Sequence, residues 1–322
     1  MCDKDFANWM SQLPPQITKQ PLNYLAIPGT HDSFTHSISN HSPASTDAPV
    51  YKIVSKLPRV IGGSMLCSWT ITQDLCIRKQ LEAGIRYLDF RVGVKNFSGR
   101  PNEYEFYLVH GQCAKTLAEE LTEVAEFLQD HPREVVLVDC NHCYEFKTPE
   151  HTSGLENLIL KMLGAYMMPV QNTVPSLDEM WAAKCQVLFF VSLRRPNPVQ
   201  PDKLWPTSRV RSLWPEKCKV SDLLLYLETN YGPNLSRNPN SFYVHQGILT
   251  PDKDYIVKHL GGSLRHLSRK AGAAYLEWLR AEERQAGPDG INITLLDFAV
   301  TDFPDYVSVV ISLNYKTWPA DQ

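Results

Sequence analysis

Short apolar runs rich in β-branched residues alternate along the chain with segments whose apolar residues recur every three or four positions. This alternation is typical of a parallel sheet covered by helices. Strands are predicted at 24–27, 85–92, 104–109, 135–139, 186–192, 241–245 and 291–298. Helices are predicted at 73–83, from 117 to near 131, at 263–284 and at 307–313. Gly84 is well placed to end the first of these helices. We expect an α/β fold of barrel type, formed by one domain over residues 1–322.

Two stretches interrupt the alternation. Residues 39–59 are rich in Ser, Pro and His, and residues 194–215 combine several prolines with Trp205 and Trp214. The first is interpreted as a surface loop and the second as an irregular region. Strands and helices resume after each stretch, so neither is interpreted as a linker between domains.

The composition is that of an ordinary soluble globular protein, with 43% apolar and 21% charged residues. A net charge of −3 gives no broad basic field, so nucleic acid is not an expected partner. No apolar run approaches the roughly 20 residues needed for a transmembrane segment. The first residues lack a secretory pattern, so we expect a cytoplasmic protein, peripheral to membranes at most, with reduced cysteines.

One cysteine cluster raises the question of a metal. The run Cys140-Asn141-His142-Cys143 contains three side chains that can ligate zinc. It has no second Cys/His pair at finger-like spacing, and it continues the apolar strand 135–139. A strand end with incidental thiols is therefore favoured over a metal site.

Two histidines and an arginine stand where early strands are predicted to end. His31 follows a Pro-Gly-Thr turn and is followed by Asp32, Arg91 closes the strand 85–92, and His110 follows the strand 104–109. Histidine transfers protons near neutral pH and arginine supplies a fixed positive charge, which is the set that phosphodiester cleavage requires. Taken singly, each has a structural explanation: a turn histidine, a strand-end histidine, and an Asp89–Arg91 ion pair on one strand face. Together, at the carboxyl ends of strands in a barrel, they indicate an active site.

Three segments resemble the X-domain of phosphatidylinositol-specific phospholipase C, and particularly the proteins that contain little beyond that domain. They are residues 25–33 (LAIPGTHDS), 84–91 (GIRYLDFR) and 109–111 (VHG), with supporting stretches at 69–73, 131–136 and 292–298. The similarity runs from about residue 8 to residue 315. The fold that this resemblance implies is a distorted, incompletely closed TIM-type barrel.

The resemblance also implies catalytic roles. In this family the inositol 2-hydroxyl attacks the neighbouring phosphate, diacylglycerol leaves and a cyclic inositol phosphate forms. His31 corresponds to the general base and Asp297 to the carboxylate that orients it. His110, assisted by Asp32, corresponds to the general acid, and Arg91 to the residue that holds the phosphate oxygens.

Calcium-dependent members of the family use oxygen ligands that are missing here. By the resemblance, Asp32 replaces an asparagine, Arg91 replaces a carboxylate, and Cys140 stands where a further carboxylate is expected. A guanidinium repels Ca²⁺ and a thiol binds it poorly. The sequence resembles the metal-independent bacterial arrangement, and no metal or other cofactor is expected.

The substrate-binding residues are less clearly indicated. Asp139, Arg194 and Arg195 follow strands on the same side and, together with Asp89, are candidates for hydrogen bonds to a polyhydroxylated ring. Solvated loop charges explain Asp139, Arg194 and Arg195 equally well. The expected partner is a phosphatidylinositol-type phospholipid at a membrane surface. Trp205 or Trp214 could contact that surface, but tryptophans more often lie in the core.

Two alternatives remain open. A metal-dependent glycerophosphodiesterase could use a similar barrel, although the carboxylate cluster that it needs is not found in the sequence. The chain could also be a catalytically weak module that binds lipid head groups or proteins on the same fold. The intact set of candidate residues argues against loss of the site, but the sequence cannot distinguish a slow enzyme from a binder.

Overall fold

The computed structural model describes residues 6–45, 59–97, 100–195, 197–232, 237–259 and 261–319. Its strands are β1 (Ile27–Thr30), β2 (Tyr87–Phe97), β3 (Arg100–His110), β4 (Gln112–Thr116), β5 (Val136–Tyr144), β6 (Val187–Val191), β7 (Leu204–Trp205), β8 (Val210–Arg211), β9 (Phe242–Gln246) and β10 (Ile293–Leu296). Its helices are α1 (Pro15–Thr18), α2 (Arg59–Thr70), α3 (Ile77–Glu82), α4 (Leu117–Asp130), α5 (Pro149–Leu163), α6 (Leu177–Ala182), α7 (Val220–Thr229), α8 (Lys253–Lys258), α9 (Leu264–Arg280) and α10 (Tyr306–Thr317).

Eight strands form one parallel sheet in the order β7-β6-β5-β2-β1-β10-β9-β8. Its two edge strands, β7 and β8, are separated in sequence by residues 206–209 only, so the edges must come near each other and the sheet must curl. Within the part of the chain that the structure describes, β7 and β8 do not pair. The expected distorted, incompletely closed α/β barrel is confirmed.

The third predicted strand does not belong to the parallel sheet. Only residues 98 and 99 separate β2 from β3, so β3 turns back and pairs antiparallel with β2, and β4 pairs antiparallel with β3. Strand β2 runs past the barrel edge, and β3 returns along this overhang with Leu108 opposite Val92. His110 therefore returns to the edge of the barrel that carries Arg91.

The core explains why the strands are so apolar. Every residue of β1, β6, β9 and β10 is buried, as is typical of parallel strands that are covered on both faces. Helix α4 begins with a capping box formed by Thr116 and Glu119 and buries its apolar face, including Leu121 and Leu128. The described part of the chain contains no helix long and apolar enough to cross a bilayer.

Several boundaries and elements differ from the sequence-based prediction. The first strand lies at Ile27–Thr30 instead of 24–27, the helix predicted at 73–83 is limited to Ile77–Glu82, and Gly84 follows it with φ +103°. Helices α1, α2, α5, α6, α7 and α8 were not predicted. Of the predicted loop 39–59, residues 46–58 lie outside the described residues. The region 194–215 contains β7 and β8, the two edge strands of the sheet.

Candidate active site

The turn after β1 carries the first two candidate residues, His31 and Asp32. Asp32 has φ +40°, in the left-handed region that aspartate and asparagine tolerate better than other non-glycine residues. The segment between α2 and α3 holds this turn: the Thr72 hydroxyl donates to the His31 carbonyl at 2.9 Å, and Gln73 donates to the His31 carbonyl at 3.2 Å and to the Leu296 carbonyl at 2.9 Å. The backbone that presents the histidine is therefore fixed from two other parts of the chain.

The His31 imidazole lies between two carboxylates. Its Nδ1 is 2.8 Å from Asp297 Oδ1, and its Nε2 is 3.0 Å from Asp32 Oδ2 and 3.2 Å from Arg91 Nη2. Burial alone lowers the pKa of His31, but the charges of Asp32 and Asp297 outweigh it and raise that pKa to about 10. In this arrangement the ring is an imidazolium at neutral pH.

Asp32 is the common partner of the other candidate residues. Its Oδ1 lies 2.9 Å from Arg91 Nε, and its Oδ2 lies 3.3 Å from His110 Nε2. Burial raises the pKa of Asp32, but Arg91, His110 and His31 together hold it well below its usual range. His110 Nδ1 donates to the Thr70 carbonyl at 2.7 Å, which orients Nε2 towards Asp32.

These side chains open into a cleft of about 460 Å³. The rings of His31 and His110 lie 5.9 Å apart and nearly perpendicular to each other. Trp214 covers one side of the site, with its ring 5.1 Å from the His31 ring and 6.0 Å from the Arg91 guanidinium carbon. The cleft is also lined by Asp89, Asn141, His142, Tyr144, Ser212, Glu216, Gln246 and Asp297.

Asp89 lines the cleft and supports the catalytic turn. It accepts hydrogen bonds from Asn141 Nδ2 at 2.5 Å and from the Asp32 backbone N–H at 3.2 Å. Burial and the nearby charge of Asp32 raise the pKa of Asp89.

The other two predicted binding residues do not line the cleft. Asp139 is buried and accepts a hydrogen bond from the Tyr87 hydroxyl at 2.6 Å, and burial raises its pKa to about 7. Arg194 is exposed, and it lies outside the residues that line the cleft. The structure thus brings six of the eight predicted site residues together: His31, Asp32, Asp89, Arg91, His110 and Asp297.

Sequence reasoning missed Asn141 and did not place Trp214 at the site. Asn141 is part of the Cys140–Cys143 run at the end of β5, and the position of a polar residue at a strand end could have indicated its role. Trp214 sits in an irregular region where no periodicity predicts its direction. Of the two tryptophans considered for a membrane contact, Trp205 is fully buried and Trp214 lies in the cleft with 36% of its surface exposed.

Among the described residues, two groups bring metal-ligating atoms within 4.8 Å of one another. One is His31, Asp32 and Asp89 in the cleft, where Arg91 already supplies a positive charge to Asp32. The other is His36, Glu120 and Glu123, outside the cleft.

The comparisons with known proteins agree with the barrel. PI-PLC X domain-containing protein 2 of Mus musculus is 34% identical over 313 residues, which cover 96% of this chain and 87% of the relative. Protein 3 of the same species is 34% identical, covering 96% and 94%, and protein 1 is 35% identical, covering 97% and 87%. No family model matches the chain.

Two solved bacterial structures share the fold. The phosphatidylinositol-specific phospholipase C of Listeria monocytogenes superposes with a TM-score of 0.63 at 17% identity, covering 96% of this chain and 99% of that protein. The enzyme of the same name from Staphylococcus aureus superposes with a TM-score of 0.65 at 15% identity, covering 97% and 98%.

Proposed function

This chain belongs to the family of PI-PLC X domain-containing proteins, and from that premise we propose that it is a metal-independent phosphodiesterase. Its substrates are phosphatidylinositol-type lipids at a membrane surface. The reaction is internal attack of the inositol 2-hydroxyl on the phosphate, which releases diacylglycerol and forms a cyclic inositol phosphate.

The observation that carries the proposal is the sharing of one carboxylate by two imidazoles and a guanidinium. Asp32 Oδ2 lies 3.0 Å from His31 Nε2 and 3.3 Å from His110 Nε2, while Arg91 contacts Oδ1 of the same side chain at 2.9 Å. Two proton-transfer groups and one fixed positive charge therefore face a single cleft, which is what a substitution at phosphorus requires.

The role of base falls to His31. Asp297 at 2.8 Å fixes Nδ1 as the protonated nitrogen and stabilises the imidazolium that forms, so Nε2 is the atom that takes the hydroxyl proton. A base must start neutral, whereas the contact with Asp32 helps to raise the pKa of His31 to about 10. The proposal therefore requires that the substrate hydroxyl replaces Asp32 at Nε2, leaving Asp32 paired with His110 and Arg91.

The role of acid falls to His110, whose Nε2 is available to protonate the leaving glycerol oxygen with Asp32 beside it. Arg91 reaches both Asp32 and the His31 ring, so it can bind the non-bridging phosphate oxygens where negative charge increases. A Ca²⁺ ion at His31, Asp32 and Asp89 would have to compete with this guanidinium, which supports a mechanism without metal.

Phosphorus NMR of the products from phosphatidylinositol vesicles tests the proposal. In the presence of a chelator, the wild-type protein is expected to produce a cyclic inositol phosphate signal, and His31→Gln is expected to produce none. Activity that disappears with chelator and returns with Ca²⁺ contradicts the metal-independent mechanism. Open glycerol phosphate as the first product favours a glycerophosphodiesterase.

A second candidate, a head-group-binding module without turnover, is favoured by the cationic state of His31. An imidazolium beside Arg91 forms a suitable site for a phosphate, and a protonated ring cannot act as a base. Tight vesicle binding by the wild type, lost in Arg91→Gln and accompanied by no phosphorus product, would support this candidate over the enzyme.

A further inference from the structure

A second histidine–carboxylate cluster lies outside the cleft and has no part in the proposed reaction. His36 belongs to the short 3₁₀ helix Thr35–Ser37, which follows the catalytic turn. Glu120 and Glu123 lie three residues apart on one face of α4. We propose that His36, Glu120 and Glu123 bind one divalent transition-metal ion, with Zn²⁺ as the best match to these ligands.

The geometry fits a single ion. One ligand atom from each of the three residues lies within 4.8 Å of the other two, and His36 Nε2 is 3.5 Å from Glu120 Oε1. Zinc binds imidazole nitrogen and carboxylate oxygen at roughly 2.0–2.2 Å, so its ligands sit close to these separations from one another after small side-chain movements. One imidazole with two carboxylates is a donor set that suits zinc better than calcium or magnesium.

A separate observation indicates that something is missing around Glu120. The residue is fully buried, and within the described part of the chain neither of its carboxylate oxygens accepts a hydrogen bond. Burial, together with the nearby Glu123, raises the pKa of Glu120 to about 8. A buried carboxylate without donors is costly, and a bound cation removes that cost.

The remaining neighbours are compatible with an ion. Lys115 Nζ lies 3.3 Å from Glu123 Oε1, but the lysine side chain is 39% exposed and can turn into solvent when a cation arrives. Cys76, whose thiol interacts with Glu123, is the candidate for a fourth donor. These residues come from α4, from β4 and from the start of α3.

The site would connect α4 to the segment that carries the catalytic turn. Next to His36, the Thr35 hydroxyl accepts hydrogen bonds from the backbone N–H groups of Thr72 and Gln73, both at 3.0 Å. Those two residues in turn hold the His31 carbonyl. The ion would therefore stabilise the scaffold behind the catalytic histidine without touching the reacting atoms.

Metal binding can be measured without any activity assay. Chelator-treated protein is titrated with ZnSO₄ by calorimetry, and with CoCl₂ followed by visible absorption, which reports tetrahedral coordination. We expect one Zn²⁺ per chain and a rise in melting temperature. Loss of a residue that only hydrogen-bonds to a metal ligand weakens metal binding about 10- to 100-fold. Glu120→Gln and His36→Gln each remove a ligand and should therefore weaken binding by more than that. Glu126→Gln and His41→Gln, which change exposed residues of the same two types, are the matched controls and should leave Zn²⁺ binding unchanged.

Two results would overturn the proposal. One is the absence of stoichiometric Zn²⁺ binding to folded wild-type protein. The other is binding that survives Glu120→Gln but is lost in Asp89→Asn, which would assign the ion to the catalytic cleft. Because Glu120→Gln keeps the size of the side chain, circular dichroism of the variant distinguishes loss of the site from loss of folding.

Discussion

Two histidines five positions apart, His31 and His36, face the same kinds of group, yet their pKa values shift in opposite directions. Each lies near carboxylates and a cation, and their side chains are only 4% and 9% exposed. The pKa of His31 is raised to about 10, whereas that of His36 is lowered. His31 contacts two carboxylates at 2.8 and 3.0 Å, while the contact of His36 with Glu120 is 3.5 Å long.

The difference shows that burial lowers the pKa of both histidines and that contact with ionised carboxylates decides whether the pKa ends above or below its usual value. At His36, burial and the charge of Lys115 lower the pKa more than Glu123 raises it. At His31 the same burial is overcome because Asp32 stays ionised, held so by Arg91 and by the histidines themselves. One cluster is fully paired, and the other leaves a buried carboxylate without hydrogen bonds.

The largest expected effect comes from removing the paired histidines. His31→Gln or His110→Gln should lower kcat by about 10²–10⁴-fold or more, because each takes away one proton-transfer step. His41→Gln, an exposed histidine in the same region, should leave turnover unchanged. Assays on phosphatidylinositol vesicles measure this, and an active His31→Gln variant would remove the basis for assigning it as the base.

Asp297→Asn tests how much the carboxylate that orients His31 contributes to turnover. We expect turnover to fall by about 10²-fold or more, because Nδ1 loses the acceptor that fixes its proton. The pKa of His31 should fall as well, since Asp297 is one of the two charges that raise it. Nitrogen NMR of labelled histidine follows this pKa, with the exposed Asp289→Asn as control. An unchanged pKa would contradict the assigned cause.

The sequence predicts the paired cluster far better than the unpaired one. His31, Asp32 and Arg91 sit in short segments near the carboxyl ends of parallel strands, which a barrel brings together. His110 reaches the same edge because β3 returns along β2. The antiparallel return of β3 along β2 could not be predicted from apolar periodicity, which does not indicate the direction of a strand.

Other features depend on contacts between distant segments. Of the six missed helices, α1, α6 and α8 have only four to six residues, too few for apolar periodicity to indicate a helix. Helix α5 was missed although it has 15 residues and buries Leu155, Ile159 and Leu163 at helical spacing. The pairing of Glu120 with His36 depends on how α4 packs against the 3₁₀ helix after the catalytic turn. Asp139 follows the same strand pattern as Asp89, yet it accepts its hydrogen bond from Tyr87 and does not line the cleft.

The pH dependence of stability separates the two histidines. The pKa of His31 is about 10 in the folded protein and 6.5 in the unfolded chain. The contribution of its protonated ring to the free energy of unfolding is therefore complete below about pH 6.5 and is lost as the pH rises through 10. The loss should be on the order of a few kcal/mol. Denaturant unfolding of the wild type at pH 6 and pH 9.5 measures it, and the loss should shrink in His31→Gln. An equal loss in both proteins would contradict this assignment.

Neutralising one carboxylate in each cluster should change stability in opposite directions. In the presence of a chelator and at pH 9, above the raised pKa of Glu120 of about 8, Glu120→Gln should raise the free energy of unfolding by about 1–3 kcal/mol, because it removes a buried carboxylate charge without hydrogen bonds. Asp32→Asn should lower it, because Arg91 and the His31 imidazolium lose a counter-charge. Asparagine keeps the left-handed backbone at position 32 accessible. A loss of stability in both variants would mean that Glu120 is satisfied after all.

The smallest effect concerns Trp214, which covers His31 and has no counterpart among the partners described for His36. Its ring lies 5.1 Å from the imidazole and 6.0 Å from the Arg91 guanidinium carbon, and 36% of its surface is exposed. Such contacts contribute about 1 kcal/mol, so Trp214→Leu should raise KM several-fold while kcat changes less.

Trp205→Leu supplies the contrast for that measurement, since the ring is fully buried and donates to the Met168 carbonyl at 3.0 Å. It should lower the free energy of unfolding by a few kcal/mol, as loss of a buried aromatic ring does, and leave KM unchanged in the protein that remains folded. Vesicle binding measured beside KM separates two roles of Trp214. A weaker affinity for vesicles that explains the whole change in KM would assign the side chain to the membrane surface. An unchanged vesicle affinity would assign it to the substrate in the cleft, which its position against His31 and Arg91 favours.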